Sequence, residues 1–84
     1  MYYVYVLKSQ RDDNLYYGST NDLRRRLLEH NTGKTRSTKS RKPLELRYYE
    51  AYFNENDARS REYSLKKDGR ALAQLRRRIR ESLQ

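Results

Sequence analysis

The 84-residue chain has no cysteine and no tryptophan, and it contains a single histidine. Without cysteine it forms neither disulfides nor thiolate metal sites, so we expect it in a reducing compartment, the cytoplasm by default. One histidine and no cysteine also exclude a zinc site of ordinary composition and a Cys–His nucleophile pair. Since no apolar run is longer than about six residues, the sequence predicts neither a signal peptide nor a membrane span.

The hydrophobic content is also low, at 35% against 37% charged residues. Such a balance is typical of disordered chains, but here the apolar residues fall in periodic clusters, which indicates a folded protein. A chain of this length buries only about 60–65% of the surface that it exposes when unfolded. We therefore expect one domain over residues 1–84, with a small core and no room for a second domain.

Positive charge is abundant, because 20 basic residues oppose 11 acidic ones for a net charge of +9. Such an excess is typical of proteins that bind a polyanion, and we predict that nucleic acid is the partner. The alternatives are a basic face that serves only solubility and an anionic membrane surface. The segment Gly33–Lys42, which we call the basic loop, has no apolar face to insert into a membrane. The predicted contacts to the nucleic-acid backbone come from the loop residues Lys34, Arg36, Lys39, Arg41 and Lys42. A second cluster comprises Arg70, Arg76, Arg77, Arg78 and Arg80.

Three strands are predicted from runs of aromatic and β-branched residues. Two such runs flank the turn cluster SQRDDN, which predicts a hairpin over residues 2–18. A third run over residues 44–53 supplies the strand that makes the sheet independently plausible. With the helices described next, the predicted fold class is α+β, a three-stranded antiparallel sheet flanked by helices in the order ββαβαα.

Three helices are predicted from capping residues and from the helical spacing of apolar residues. The first begins at an Asn21 or Asp22 cap and ends before Gly33, the second runs from an Asn54 or Asn56 cap to Gly69, and the third covers residues 70–83.

Glu62 lies within the apolar stripe of the second predicted helix. At about 100° per residue, Glu62 and Leu65 fall about 40° and 20° to either side of Ala58, so the carboxylate faces the sheet. Burying an ionised carboxylate costs several kcal/mol unless the group is paired or binds a metal. The residues therefore leave two interpretations of Glu62, a structural ion pair and a metal ligand.

Arg26 and His30 lie one turn apart on the first predicted helix, beside the apolar edge that Leu23 and Leu27 make. Taken singly, such an arginine usually extends its head to solvent, and a lone histidine is usually a partly buried structural residue. Their proximity nevertheless allows the two side chains to act together.

Several of these residues recur at a distinctive spacing. The tripeptide YVY at Tyr3–Tyr5 is followed by YYG at Tyr16–Gly18, then by Arg26 and His30, and later by SREYSLKK with Glu62. This pattern resembles the signature of the GIY-YIG endonuclease superfamily, and the chain is similar to its small single-domain bacterial members over nearly all its length. The resemblance implies a nuclease domain that hydrolyses phosphodiester bonds in nucleic acid, with DNA expected rather than RNA.

The resemblance also implies roles for individual residues. Tyr16 would be the base that activates water, Arg26 would hold the scissile phosphate, and Glu62 would bind one divalent cation, Mg²⁺ or Mn²⁺. Tyr5 and His30 would assist. A free tyrosine has a pKa of about 10, so a tyrosine base needs nearby positive charge or proton transfer to a neighbour. One carboxylate suffices for Mg²⁺, which keeps several waters and takes phosphate oxygens as ligands.

The sequence departs from the family pattern in three respects. The first tripeptide is Tyr-Val-Tyr in place of Gly-Ile-Tyr, and Tyr17 stands where isoleucine is usual, but both motifs keep their functional tyrosine. No asparagine follows Glu62, although larger members often carry one there. We also expect no separate DNA-targeting domain of the kind that larger relatives carry, and therefore a possible protein partner for targeting. The alternative function is a nucleic-acid-binding module that keeps the fold but cleaves little or nothing.

Overall fold

A computed structural model describes all 84 residues, Met1–Gln84, and confirms the α+β class and the order ββαβαα. The strands are β1 (Tyr2–Ser9), β2 (Leu15–Thr20) and β3 (Leu44–Tyr52), and the helices are α1 (Leu23–Asn31), α2 (Glu55–Lys67) and α3 (Gly69–Arg78). Single turns of 3₁₀-helix lie at Lys39–Arg41 and Arg80–Leu83. None of the helices is long and apolar enough to cross a membrane.

The sheet is antiparallel, with β1 in the middle and the strand order β2-β1-β3. Tyr5 at the centre of β1 pairs with Gly18 on one side and with Tyr49 on the other. Because successive residues of a strand point to opposite faces, this register decides which tyrosines lie together. The strand order makes β2 an edge strand, so no other strand pairs with its outer side.

Two separate apolar clusters cover the two faces of the sheet. On one face, Val4 and Val6 pack against α2 and α3 through the buried side chains of Ala58, Leu65, Leu75 and Ile79. On the other face, Tyr5 and Leu7 pack with Leu44 and with the α1 residues Leu23 and Leu27. The alternation along β1 therefore divides the core between the two layers of helices.

Short polar side chains begin each helix, as the capping rules predict. The side chain of Asp22 accepts a hydrogen bond from the Arg25 amide at the start of α1, and that of Asn54 accepts one from the Asn56 amide at the start of α2. Asp68 caps α3 in the same way, so α3 follows α2 directly. Of the alternatives left by the sequence, Asp22 and Asn54 are therefore the caps.

The last helix is shorter than predicted. Its α-helical part ends at Arg78, and Ile79 has the non-helical angles φ −112° and ψ 27°. Beyond that point Lys8 Nζ donates a hydrogen bond of 2.8 Å to the Leu83 carbonyl, and Arg47 donates one of 3.0 Å to the Ser82 carbonyl. These donors from the sheet capture carbonyl groups of the last turn, which is consistent with the tighter 3₁₀ winding there.

Candidate active site

The phenol ring of Tyr5 lies against the backbone of Gly18, its partner across the β1–β2 pair. An ideal Cβ atom placed on Gly18 would lie 2.6 Å from Tyr5 Cζ, closer than real Cβ contacts come. Glycine at this position of β2 is therefore required by the close approach of the ring. The YYG motif thus has a structural cause, since its glycine makes room for the tyrosine of the first motif.

Tyr5, His30 and Thr38 form a buried chain of hydrogen bonds. The Tyr5 hydroxyl lies 2.9 Å from His30 Nε2, and His30 Nδ1 lies 2.7 Å from the Thr38 hydroxyl. All three residues are almost completely inaccessible to solvent. Burial, reinforced by the nearby positive charge of Arg26, lowers the pKa of His30 to about 4, so the imidazole is neutral at neutral pH. The contact fastens the basic loop to α1 and β1.

Tyr16 completes a cluster of three rings. It is half-buried, with its ring centroid 5.1 Å from that of His30 and 6.5 Å from that of Tyr5. The three rings meet because Tyr16 lies two residues before Gly18, on the same face of the sheet as Tyr5. The sequence-predicted tyrosines and the histidine are therefore in mutual contact.

Arg26 lies on α1 beside these rings and is half-buried. Its guanidinium donates a hydrogen bond of 3.0 Å to Glu29 Oε1, which is also an ion pair within one helical turn. Burial raises the pKa of Tyr5, and the positive charge of Arg26 opposes that rise. Arg26 is thus near Tyr5, and its contact with Glu29 uses one of the five N–H donors of its guanidinium.

Glu62 is half-buried on α2 and has two partners. Ser19 donates a hydrogen bond of 2.6 Å to Oε1, and Lys66 donates one of 2.8 Å to Oε2. Burial alone would raise the pKa of the Glu62 carboxyl, but Lys66 and Ser19 hold it below its ordinary value. The Lys66 ammonium also lies 5.8 Å from the centroid of the Tyr16 ring, so it connects Glu62 with the ring cluster.

A cation bound at Glu62 would find few other protein ligands. No three histidine, aspartate or glutamate side chains are grouped to hold a metal ion. A hard cation at Glu62 would take its other ligands from water and from phosphate oxygens, which suits Mg²⁺ or Mn²⁺ but not a metal that needs a full protein cage. An ionised, partly accessible carboxylate at the edge of the sheet fits that limited demand.

Two adjoining cavities lie along the open edge of β2, between α1 and α2. The first, of about 360 Å³, is lined by Arg26 and Glu29 of α1 together with Ser19 and Arg59. The second, of about 540 Å³, is lined by Glu62, and it shares Ser19 and Arg59 with the first. We call the two cavities together the β2-edge groove. Arg26 lines the first of these cavities and Glu62 the second.

The five cations of the basic loop are not equally exposed. Lys34, Arg36, Lys39 and Lys42 are exposed, whereas Arg41 is half-buried. Its guanidinium forms an ion pair of 3.0 Å with Asp12 and donates a hydrogen bond to the Leu15 carbonyl. Arg41 therefore anchors the loop to the β1–β2 turn, and the four other cations remain available to a ligand.

Sequence reasoning missed three residues of this region. Thr38 was part of a loop noted only for its charge, although a threonine among lysines can serve as a hydrogen-bond partner. The resemblance implies no role for Arg59 or Lys66, but each stands four residues after a glutamate on α2, a spacing that signals an ion pair. From the sequence alone, this spacing of four residues could have identified the two cations that lie beside Glu62.

The fold brings two tyrosines and an arginine to one edge of the sheet and a glutamate to the facing helix. This is the arrangement that the resemblance to GIY-YIG nucleases predicts. The GIY-YIG catalytic domain model matches residues 1–80, and the chain belongs to this family. It is 46% identical over 66 residues to a UPF0213 protein of Bacillus pumilus, covering 77% of this chain and 66% of that protein. A UPF0213 protein of Clostridium perfringens is 46% identical over 68 residues, covering 80% and 72% of the respective chains.

A solved structure is also similar. The solution NMR structure of a UPF0213 protein from Bacillus halodurans has a TM-score of 0.54 and 35% sequence identity, covering 89% of this chain and 82% of that one. The similarity therefore extends over most of both chains.

Proposed function

We propose that the protein is a metal-dependent endonuclease that hydrolyses phosphodiester bonds of nucleic acid, with DNA as the expected substrate. The observation that carries this proposal is the meeting of Tyr5, Tyr16 and His30 beside the groove whose walls hold Arg26 and Glu62. Residues 1–84 would act as one catalytic domain.

Hydrolysis requires a base for the attacking water and positive charge for the phosphate oxygens that gain charge in the transition state. Tyr16 is the proposed base, since it is the least buried of the three rings and its ring lies beside Lys66, which lines the groove. Arg26 is the proposed electrostatic clamp, which releases Glu29 to bind the scissile phosphate. Tyr5 is fixed by His30 and orients the cluster.

Glu62 is the proposed ligand of one divalent cation. Bound there, Mg²⁺ or Mn²⁺ would supply Lewis-acid stabilisation of phosphate and leaving-group oxygens. The contribution of the chain is a carboxylate already ionised and oriented by the Ser19 hydroxyl. Lys66 would leave Glu62 when the cation binds.

A second function, a nucleic-acid-binding module without efficient cleavage, is favoured by a specific observation. Arg26 is paired with Glu29 and Glu62 with Lys66, so both principal groups are neutralised by neighbours in the free protein. If these pairs persist on nucleic acid, the chain binds but does not cut. A protein partner that supplies targeting would be consistent with either function.

The deciding experiment incubates purified protein with single-stranded DNA, duplex DNA and RNA, in Mg²⁺, in Mn²⁺ and in chelator. We expect cutting of DNA that requires the cation and that disappears in the Tyr16→Phe variant purified identically, which excludes a contaminating nuclease. Binding without cleavage of any substrate would contradict the proposal and support the binding module.

A further inference from the structure

Helix α2 carries a line of alternating charge along the β2-edge groove. Glu55, Arg59, Glu62 and Lys66 follow the spacing of four, three and four residues, which places them on one helical face. All four line the cavities of the groove. Each acid pairs with the cation one turn later, at 2.9 Å for Glu55–Arg59 and 2.8 Å for Glu62–Lys66.

We propose that the nucleic-acid strand to be cut lies along this face of α2, with Arg59 and Lys66 binding its phosphates on either side of Glu62. The inference rests on the proposed function and extends it, because it assigns the path of the substrate and gives roles to two residues for which the resemblance implies none. The basic loop would then bind more distant parts of the backbone.

The dimensions of the helix suit this path. With a rise of about 1.5 Å per residue, Arg59 and Lys66 lie about 10 Å apart along the axis, and Glu62 lies between them. One strand of a duplex carries a phosphate every 3.4 Å or so along its axis, so the interval corresponds to about three nucleotides. Two phosphates three steps apart can thus be held while the two between them lie near Glu62, opposite Arg26.

Both cations are accessible and weakly held. The side chains of Arg59 and Lys66 are 70% and 42% exposed, and surface pairs one turn apart contribute little to stability. Exchanging the carboxylate partner for a phosphate therefore costs little free energy. Arg61 differs from them, because its Nε and Nη2 both donate hydrogen bonds to the half-buried Glu50. It also lies outside the groove.

The face also needs these cations. Glu55 and Glu62 would repel a phosphate backbone, and the cations that follow each of them offset that charge. Lys66 additionally lies over the Tyr16 ring, so a phosphate bound by Lys66 would lie next to the proposed base. The path consequently passes Glu62 and Arg26 in the groove and comes close to the Tyr16 ring at Lys66.

The test measures binding of a short fluorescein-labelled DNA strand and its duplex in chelator, across a series of salt concentrations. The double variant Arg59→Ala/Lys66→Ala should lose roughly tenfold or more in affinity, and its plot of log affinity against log salt should flatten by about two units. The matched control Arg11→Ala/Lys67→Ala removes the same charge from exposed positions outside the groove and should keep the parent slope.

The conservative double variant Arg59→Lys/Lys66→Arg should restore the slope, which a merely structural role would not require. Equal slopes in the alanine variant and its control would overturn the inference, as would a parent protein that binds neither probe. The test measures binding and not cleavage, so the two failures can be distinguished. The expected slopes without any cutting would contradict the nuclease and keep the binding path, whereas cutting with unchanged slopes would contradict the path alone.

Discussion

The hydroxyl of Tyr5 lies 2.9 Å from Nε2 of His30, which is 25 residues further along the chain. This buried hydrogen bond joins the central strand to α1, and the other ring nitrogen binds Thr38 of the basic loop. One neutral imidazole therefore fixes the orientation of a candidate catalytic ring and the position of the loop. Several measurable consequences follow from the geometry around it.

Stability should fall in mild acid because of His30. Burial lowers its pKa to about 4, against 6.5 in the unfolded chain, so between these values the unfolded state binds the additional proton. The stabilisation is complete above pH 6.5 and declines toward pH 4, by about 3 kcal/mol in all. Urea unfolding at a series of pH values should show this decline.

The single histidine makes the assignment direct. An NMR titration of its ring protons should give a pKa near 4, and a value near 6.5 would contradict a neutral buried ring. In the His30→Gln variant the free energy of unfolding should lose most of its slope between pH 4 and 6.5, while the carboxylates still contribute below that range.

Tyr16→Phe and Arg26→Ala should each lower the cleavage rate at least ~100-fold, the scale of a lost general base or electrostatic clamp. The matched control is Tyr17→Phe. The Tyr17 hydroxyl is buried on the opposite face of β2 without a hydrogen-bond partner, so its removal should leave the rate unchanged. A rate loss in Tyr17→Phe as large as in Tyr16→Phe would assign the effect to the fold.

Glu62→Gln should abolish cation-dependent cleavage and retain the fold. Glutamine can still accept the hydrogen bond from Ser19, and losing the partly exposed pair with Lys66 should change the free energy of unfolding by less than ~1 kcal/mol. Thermal unfolding and single-turnover cleavage provide the two readouts, with Glu45→Gln, which breaks a surface pair with Arg47, as the control. A destabilised but active variant would make Glu62 a structural ion-pair residue.

Replacing Lys34, Arg36 and Lys39 together by alanine should weaken binding to all sequences alike. The plot of log affinity against log salt should flatten by about two to three units, since these exposed residues are expected to bind phosphates. Arg41→Ala should instead lower stability, because Arg41 is paired with Asp12. If replacing arginines 76–78 flattens the slope and the loop variant does not, the C-terminal cluster binds the backbone.

Gly18→Ala should destabilise the protein by ~1–3 kcal/mol, because the new methyl group meets the Tyr5 ring. The displaced ring should also reduce cleavage. Gly69→Ala is the control, since nothing lies within 4 Å of a Cβ there, and at the start of α3 it should be neutral or stabilising. Equal stability of the two variants in urea would contradict the close packing of Tyr5 on Gly18.

The sequence alone determined the order of elements and the class of fold. Caps, turns and the alternation of apolar residues act over a few positions, so they can be read without knowing what packs against what. The same local information placed Glu62 on the sheet-facing side of α2, where the structure has it half-buried. It also placed Arg26 and His30 one turn apart, as they are in α1.

Only the tertiary structure decided how those residues are used. It buried His30 completely, bound it to Thr38, withdrew Arg41 from the exposed cations by pairing it with Asp12, and set Lys66 between Glu62 and the Tyr16 ring. It also ended α3 at Arg78. Most of these outcomes depend on which distant segments of the chain meet. Strand register and the packing of helices on the sheet decide that. No local pattern encodes the partner of a side chain across the fold, so the sequence alone could not predict these contacts.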